Sequence, residues 1–317
     1  MLRSMYSGIS GMQNMQTKLD TIGNNIANVN TFGFKKGRTT FKDMVSQQIA
    51  GATGPGENRG GVNARQVGLG MQLASIDTIH TQGSLQNTNR ELDLGISGDG
   101  YFVVSTTGGE GNPAGVGDLS YTRAGNFYLD QEGYIVNSDG FYLMGVRPGG
   151  DGSYTPVDEF NVNTNNNTDL QDDYEFGRLR IPPEAQSFSI GADGILRFIS
   201  SDGLQVAGQL GLAKFSNPEG LEKVGNNLYS ASANSGTLAQ GEFFRNGDFE
   251  ASPAYISLAQ LDAAGTGSLV AGTLEMSNVD LSSEFTEMIV AQRGFQANTR
   301  IITTSDEILQ ELINLKR

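Results

Sequence analysis

Few residues in this chain could do acid–base or metal chemistry, and their spacing suits neither. His80 is the only histidine, so it is the only imidazole base available. It lies in Ile76-Asp77-Thr78-Ile79-His80-Thr81, an alternating run that reads as a strand with the ring on its surface. Asp169, Asp172, Asp173 and Glu175 could gather around calcium. They lack the ligand spacing and turn glycine of a calcium loop, so they read as a solvated acidic loop. The absence of cysteine excludes disulfides, zinc-thiolate sites and thiol nucleophiles. There is no Gly-x-Ser-x-Gly elbow and no phosphate-loop lysine pattern. Nothing places two carboxylates together as a glycosidase requires. The expectation is a protein that is not an enzyme and takes no cofactor or metal. One dense basic cluster, Lys35, Lys36, Arg38 and Lys42, reads either as a solvated face or as a docking patch for an acidic neighbour.

The elements around these residues fall into three zones. The chain has 317 residues, 21 basic and 35 acidic, for a net charge of −14. That balance argues against nucleic-acid partners and anionic membranes. No run approaches the roughly 18 apolar residues of a membrane span, so no membrane insertion is expected. Ser4, Ser7, Ser10, Gln13 and Asn14 interrupt the N-terminus, which does not read as a secretory signal. Residues 1–45 carry a net +4 and residues 46–280 a net −17. All eight prolines lie in the middle zone, between Pro55 and Pro253. The ends are free of the strongest helix breaker, and the middle is rich in turns.

The N-terminal apolar positions are Leu2, Met5, Ile9, Met12, Met15, Leu19, Ile22, Ile26 and Val29, in steps of three or four. They predict an amphipathic helix close to a heptad seam. Leu281, Phe285, Met288, Phe295, Ile302, Leu309 and Ile313 repeat the pattern at the other end, and Ile301, Ile308, Leu312 and Leu315 widen the stripe. One helix is expected from about 282 to 315, capped by Asp280 or Ser282, with Gly294 its weak point. The middle reads as β. Asp99-Gly100, Asp139-Gly140, Asp151-Gly152, Asp193-Gly194, Asp202-Gly203 and Asn246-Gly247 are hairpin signals between short apolar runs. The glycine-rich segment 51–61 reads as a flexible linker.

The expected fold is α+β. Long N- and C-terminal helices pair as a coiled-coil-like domain, with a mainly antiparallel β domain inserted between them. The helical assembly domain would comprise 1–35 and 281–317, and 36–75 a linker region. The β-rich domain would span 76–280, with a small insertion at 146–180 and a loop-rich segment at 238–268. The helices could instead pack on the β domain as ordinary core. Apolar surface left over after pairing would favour assembly with other copies.

Four ordered motifs resemble the bacterial flagellar axial proteins, the rod and hook subunits. Asn24-Asn25-Ile26-Ala27-Asn28-Val29-Asn30-Thr31-Phe32-Gly33-Phe34-Lys35 is similar to that family's N-terminal signature, carried here by Asn24, Asn25, Ala27, Asn28, Asn30, Thr31, Gly33 and Phe34. Leu92–Phe102 resembles its first β motif and Tyr121–Phe127 its second. Ser277–Leu281, with Glu284–Ile289 and Ala291–Gln296, resembles hook proteins in particular, because rod subunits more often read Asn-Val where Asp280-Leu281 stands.

The resemblance implies a structural subunit of a short-type hook, polymerising into a flexible hollow tube that transmits motor torque to the filament. It implies type III export without a cleaved signal and an extracellular place in the hook. The implied partners are further copies of the chain, the distal rod, and the hook-cap and hook–filament junction proteins. A distal-rod subunit of the basal body is the alternative, and a secreted β-domain adhesin or enzyme the remote one.

Overall fold

The computed structural model describes residues 2–56, 60–106, 119–148, 154–156, 174–201, 203–236, 254–258 and 267–315. The architecture is α+β, and the chain divides into two units. The first unit comprises 1–29, 36–79 and 279–317; the second comprises 30–35 and 80–278.

The first unit holds both helices, α1 (Leu2–Ala27) and α2 (Leu281–Leu315). Helix α1 ends where asparagines compete for the backbone. The Asn28 amide donates to the Asn24 carbonyl from its side chain at 2.9 Å and from its backbone at 3.2 Å. Helix α2 begins at Asp280, whose carboxylate accepts the Ser282 N–H at 2.9 Å, and Glu284 in the first turn suits the positive end of the helix. Segment 36–75, expected as a linker, carries ordered ladders. Strand Gly37–Asp43 pairs antiparallel with Met71–Thr78, and Gln47–Ala50 with Arg65–Val67. The supposed flexible stretch 51–61 includes a bridge from Thr53 to Val62, with residues 57–59 outside the described set.

The second unit is built on an antiparallel sheet. Its long strand Gly203–Phe215 pairs with Ile195–Ser200, Tyr142–Pro148, Tyr101–Ser105 and Ala254–Leu258. Alternate residues of Tyr101–Ser105 enter two apolar layers. Phe102 and Val104 join Leu94, Phe127, Leu143, Leu196 and Leu212 on one face, while Tyr101 and Val103 join Tyr121, Met144, Phe215 and Tyr229 on the other. A strand covered on both faces explains the unbroken Tyr-Phe-Val-Val run. Each such side chain contributes about 1.5–3 kcal/mol on burial. Asp139-Gly140 and Asp193-Gly194 turn as expected, with Gly φ of 82° and 71°. At Asp99-Gly100 the positive φ falls instead on Gly98. Asp151-Gly152, Asn246-Gly247, the acidic residues Asp169, Asp172 and Asp173, and most of 146–180 and 238–268 lie outside the described residues. The flanks of the first of these segments are paired, Tyr142–Pro148 against Tyr174–Arg178.

Candidate assembly surfaces

Helices α1 and α2 run antiparallel along a seam that takes in part of each expected apolar stripe and a second row of small and polar residues. A Cβ on Gly8 would lie 3.4 Å from Ile302 and 3.5 Å from the Asn298 carbonyl. One on Gly11 would lie 2.6 Å from the Asn298 amide, and one on Gly294 would lie 3.3 Å from the Met15 sulfur. Lys18 reaches Glu287 at 3.1 Å, and Asn25 reaches Glu284 at 3.1 Å. Two rows of α2 with a period of seven face the seam. Glu284, Ala291 and Ser305 are buried on one row, where Asn298 completes the spacing; Met288, Phe295, Ile302 and Leu309 are half-buried on the other. On α1 the buried residues are Gly8, Gly11, Ile22 and Asn25. The small and polar members of this seam, Gly8, Gly11, Ala291 and Ser305, were missed in the sequence. The signal that could have found them is their own spacing of three or seven.

The expected apolar stripe is therefore split. Met5, Met12, Leu19, Ile26 and Val29 are half-buried, Ile22 is buried, and Ile9 is exposed. Leu2 is described only as helical backbone. Leu281, Phe285 and Ile313, expected on the same apolar stripe, are exposed: Phe285 and Ile313 share a row that turns away from α1, and Leu281 is the first residue of the helix on the half-buried row. Ile301, Ile308, Leu312 and Leu315 are exposed as well, Leu315 at 83%. Within the first unit, α2 thus presents a long uncovered apolar surface.

Asn25 brackets the seam to the adjoining ladder. Its amide donates to the Gly37 carbonyl at 2.8 Å and accepts the Gly37 N–H at 2.9 Å, besides its bond to Glu284. Lys36 stands 3.7 Å from the same Glu284 carboxylate. An asparagine suits this node because it offers donors and an acceptor without charge. Among the other signature residues, Asn24, Ala27 and Asn30 are exposed, and Asn28 and Thr31 are half-buried.

The rest of the signature forms a strap, 30–35, that belongs to the second unit. Gly33 has φ 68°, and a Cβ there would lie 2.6 Å from the Ala124 nitrogen and 2.7 Å from the Arg123 carbonyl carbon. No side chain fits, so glycine is required twice over. Phe34 is buried and Lys35 is fully buried. The Lys35 ammonium lies 2.6 Å from Glu275 Oε1 and donates to the Thr81 carbonyl at 2.8 Å. Glu275 also accepts the Gly83 N–H at 2.8 Å and the Arg123 guanidinium at 3.1 Å. Arg123 in turn donates to the Gly98 carbonyl at 2.7 Å. Burial pushes the Lys35 amine below its ordinary range, and Glu275 opposes that shift. Lys35 therefore does not belong to a surface docking patch. Of the other basic residues, Arg38 lies 3.7 Å from Asp77, and Lys42 is exposed. His80 is also not on a strand surface. The strand ends at Thr78, and the ring lies half-buried beside Tyr101 and Tyr229.

Among the described residues no group of three His, Cys, Asp or Glu side chains is placed to hold a metal ion. No described helix is long and apolar enough to cross a membrane. What these residues offer is interlocking and contact surface.

Three family models match parts of the chain: "Flagella basal body rod protein" over residues 5–35, "Flagellar hook protein FlgE/F/G D1 domain" over 95–198, and "Flagellar basal body rod FlgEFG protein C-terminal" over 270–315. The chain is 51% identical over 318 residues to the flagellar basal-body rod protein FlgG of Bacillus subtilis, covering 100% of both chains. It is 32% identical over 320 residues to FlgG of Caulobacter vibrioides, covering 99% of this chain and 100% of that one. It is 31% identical to the flagellar hook protein FlgE of Borreliella burgdorferi, again over 100% of both, in an alignment of 474 residues.

Proposed function

We propose that this chain, which belongs to the flagellar basal-body rod and hook protein family, is a subunit of the distal rod. It is a structural protein of the flagellar axis, in the service of motility, and not an enzyme. One observation carries the choice of rod over hook: 51% identity to a rod protein across 318 aligned residues, with hardly any difference in length, against 31% to a hook protein across 474. The hook reading rested on the C-terminal stretch from Ser277 to Gln296, in which Asp280-Leu281 was the contrast with rod subunits. Asp280 acts here as a helix cap, a task open to several residues, so the dipeptide discriminates poorly.

In this reading the helix pair is an antiparallel coiled-coil-like rib, and copies of the chain assemble through the apolar rows left outside the seam. Uncovered apolar surface on this scale marks an interaction surface. The subunits would form a straight hollow shaft carrying torque to the hook, and would reach it through the type III export apparatus. Cells lacking the chain test the proposal. Electron micrographs should show basal bodies with a truncated rod and no hook, restored by the gene in trans. Full-length rods missing only the hook would return the chain to the hook.

A further inference from the structure

His80 is the single histidine of the chain and stands at the point where residues 80–278 of the second unit begin. The Tyr101 hydroxyl lies 2.7 Å from its Nδ1. Its Nε2 is buried and has no hydrogen-bond partner among the described residues. The edges of Tyr101 and Tyr229 pack against the ring, with centroids 6.0 and 5.7 Å away. Burial holds both phenols protonated far into the alkaline range, so neither supplies a negative charge.

The charged groups facing this ring are unbalanced. Lys35 comes from the strap, Arg123 from the loop after strand Leu119–Thr122, and Lys223 from strand Glu222–Gly225. Glu275, on strand Thr273–Glu275, is the one carboxylate bonded to Lys35 and Arg123; Asp99 acts on Lys35 and Tyr101 through space. The strap is held from the same side. Lys35 donates to the carbonyl of Thr81, the residue after His80, and Lys223 donates to the Lys35 carbonyl at 3.1 Å.

We propose that His80 is an acid-operated release for the strap 30–35: a proton on its imidazole adds a cation to a pocket already holding Lys35, Arg123 and Lys223 against Glu275, and the strap leaves the second unit. In a charged ring both nitrogens donate: the Tyr101 oxygen can accept from Nδ1, but the buried Nε2–H has no acceptor among the described residues. Burial and the three cations hold the imidazole down to about 4, so the ring is neutral and the strap closed at neutral pH. Protonation is a local charge event, and the strap is the two-state element that it biases.

The chain has a single imidazole, so its ring resonances need no assignment among histidines and the intact chain can be titrated directly. The full-length protein would be followed from pH 7 to pH 3 by NMR of the His80 ring and by hydrogen exchange of peptides covering 30–35, corrected for intrinsic rate. The expected result is a shared midpoint near 4, with a loss of strap protection of tenfold or more. His80→Gln keeps a polar group that cannot charge, and its strap should stay protected at least one pH unit further into acid. A ring that titrates near 6.5 under a protected strap overturns the proposal. So does a His80→Gln protein that releases the strap at the wild-type pH, which would assign the release to a group other than the imidazole. If that variant fails to fold, the paired wild-type midpoints decide.

Discussion

Gly33→Ala tests the placement of the strap most sharply. The alanine methyl would stand 2.6 Å from the Ala124 nitrogen and 2.7 Å from the Arg123 carbonyl carbon, closer than the 3.0 Å that real Cβ contacts respect. Both obstacles are backbone, so no side chain can swing aside. The left-handed φ of 68° adds about 1–2 kcal/mol for any L-residue. Moving the strap to relieve the clash strains the 2.8 Å bond from the Gly33 N–H to the Glu275 carbonyl, worth about 1 kcal/mol. The expected loss is about 2–4 kcal/mol. Gly140→Ala is the control: its φ is 82°, but nothing lies within 4 Å of the added methyl. It should lose only the conformational part, about 1–2 kcal/mol. Urea unfolding of both full-length variants, followed by tyrosine fluorescence, gives the difference, because the chain has no tryptophan. Equal losses at the two sites would refute the close approach of Gly33 to Ala124 and the docking of the strap with it.

Ile308→Asp lies on the uncovered row of α2, with Ile301 and Leu315, so the monomer should change by no more than about 0.5 kcal/mol while assembly into tubes is lost; circular dichroism and negative-stain micrographs separate the two effects. Asn25→Ala removes both bonds to Gly37 and the bond to Glu284, and should destabilise the first unit by about 2–3 kcal/mol in urea melts. Stability should fall as pH drops from 6.5 towards 4, because the folded chain holds His80 at about 4 while the unfolded chain binds its proton near 6.5. The unfolded state holds more protons in that window, the loss amounts to about 3 kcal/mol, and His80→Gln should remove it from a series of urea melts.

Both helices were legible in the sequence to within a residue or two at their inner ends, because proline-free apolar periodicity and an aspartate cap are local signals. The β character of the middle was legible from turn chemistry, and Asp139-Gly140 and Asp193-Gly194 turn where expected. The seam was legible in half: Met288, Phe295, Ile302 and Leu309 stood in the apolar stripe, but periodicity ranks rows by hydrophobicity and passes over Gly8, Gly11, Ala291, Ser305 and Glu284, which meet the partner helix as well. The fate of Lys35 was not legible. Its partner Glu275 lies 240 positions away, and Arg123, the second cation on that carboxylate, lies 88 away, so no local pattern announces a buried ion cluster. His80 failed for a related reason: two residues of alternation extended a strand that stops at Thr78.

The seam composition follows from what a polymer subunit must do. Were the most apolar rows of α1 and α2 spent on each other, the lone chain would be better satisfied and its neighbours would find little to bind. Here the two helices meet through small residues that permit close approach, through Asn25 and Glu284, and through half-buried Met288, Phe295, Ile302 and Leu309. Buried polar groups of this kind fix register more than they add stability. The rows carrying Phe285, Ile301 and Ile308 stay uncovered. A chain built this way is marginal at its ends when alone, since isolated helices depend on packing of an apolar face. In the proposed reading it gains that packing on joining other copies, and the free energy withheld from the monomer becomes available to drive assembly. Ser305→Leu would add apolar bulk to the seam at a buried position, and is expected to weaken both the monomer and the proposed assembly, because it crowds the seam and shifts the neighbouring rows away from the face proposed for other subunits.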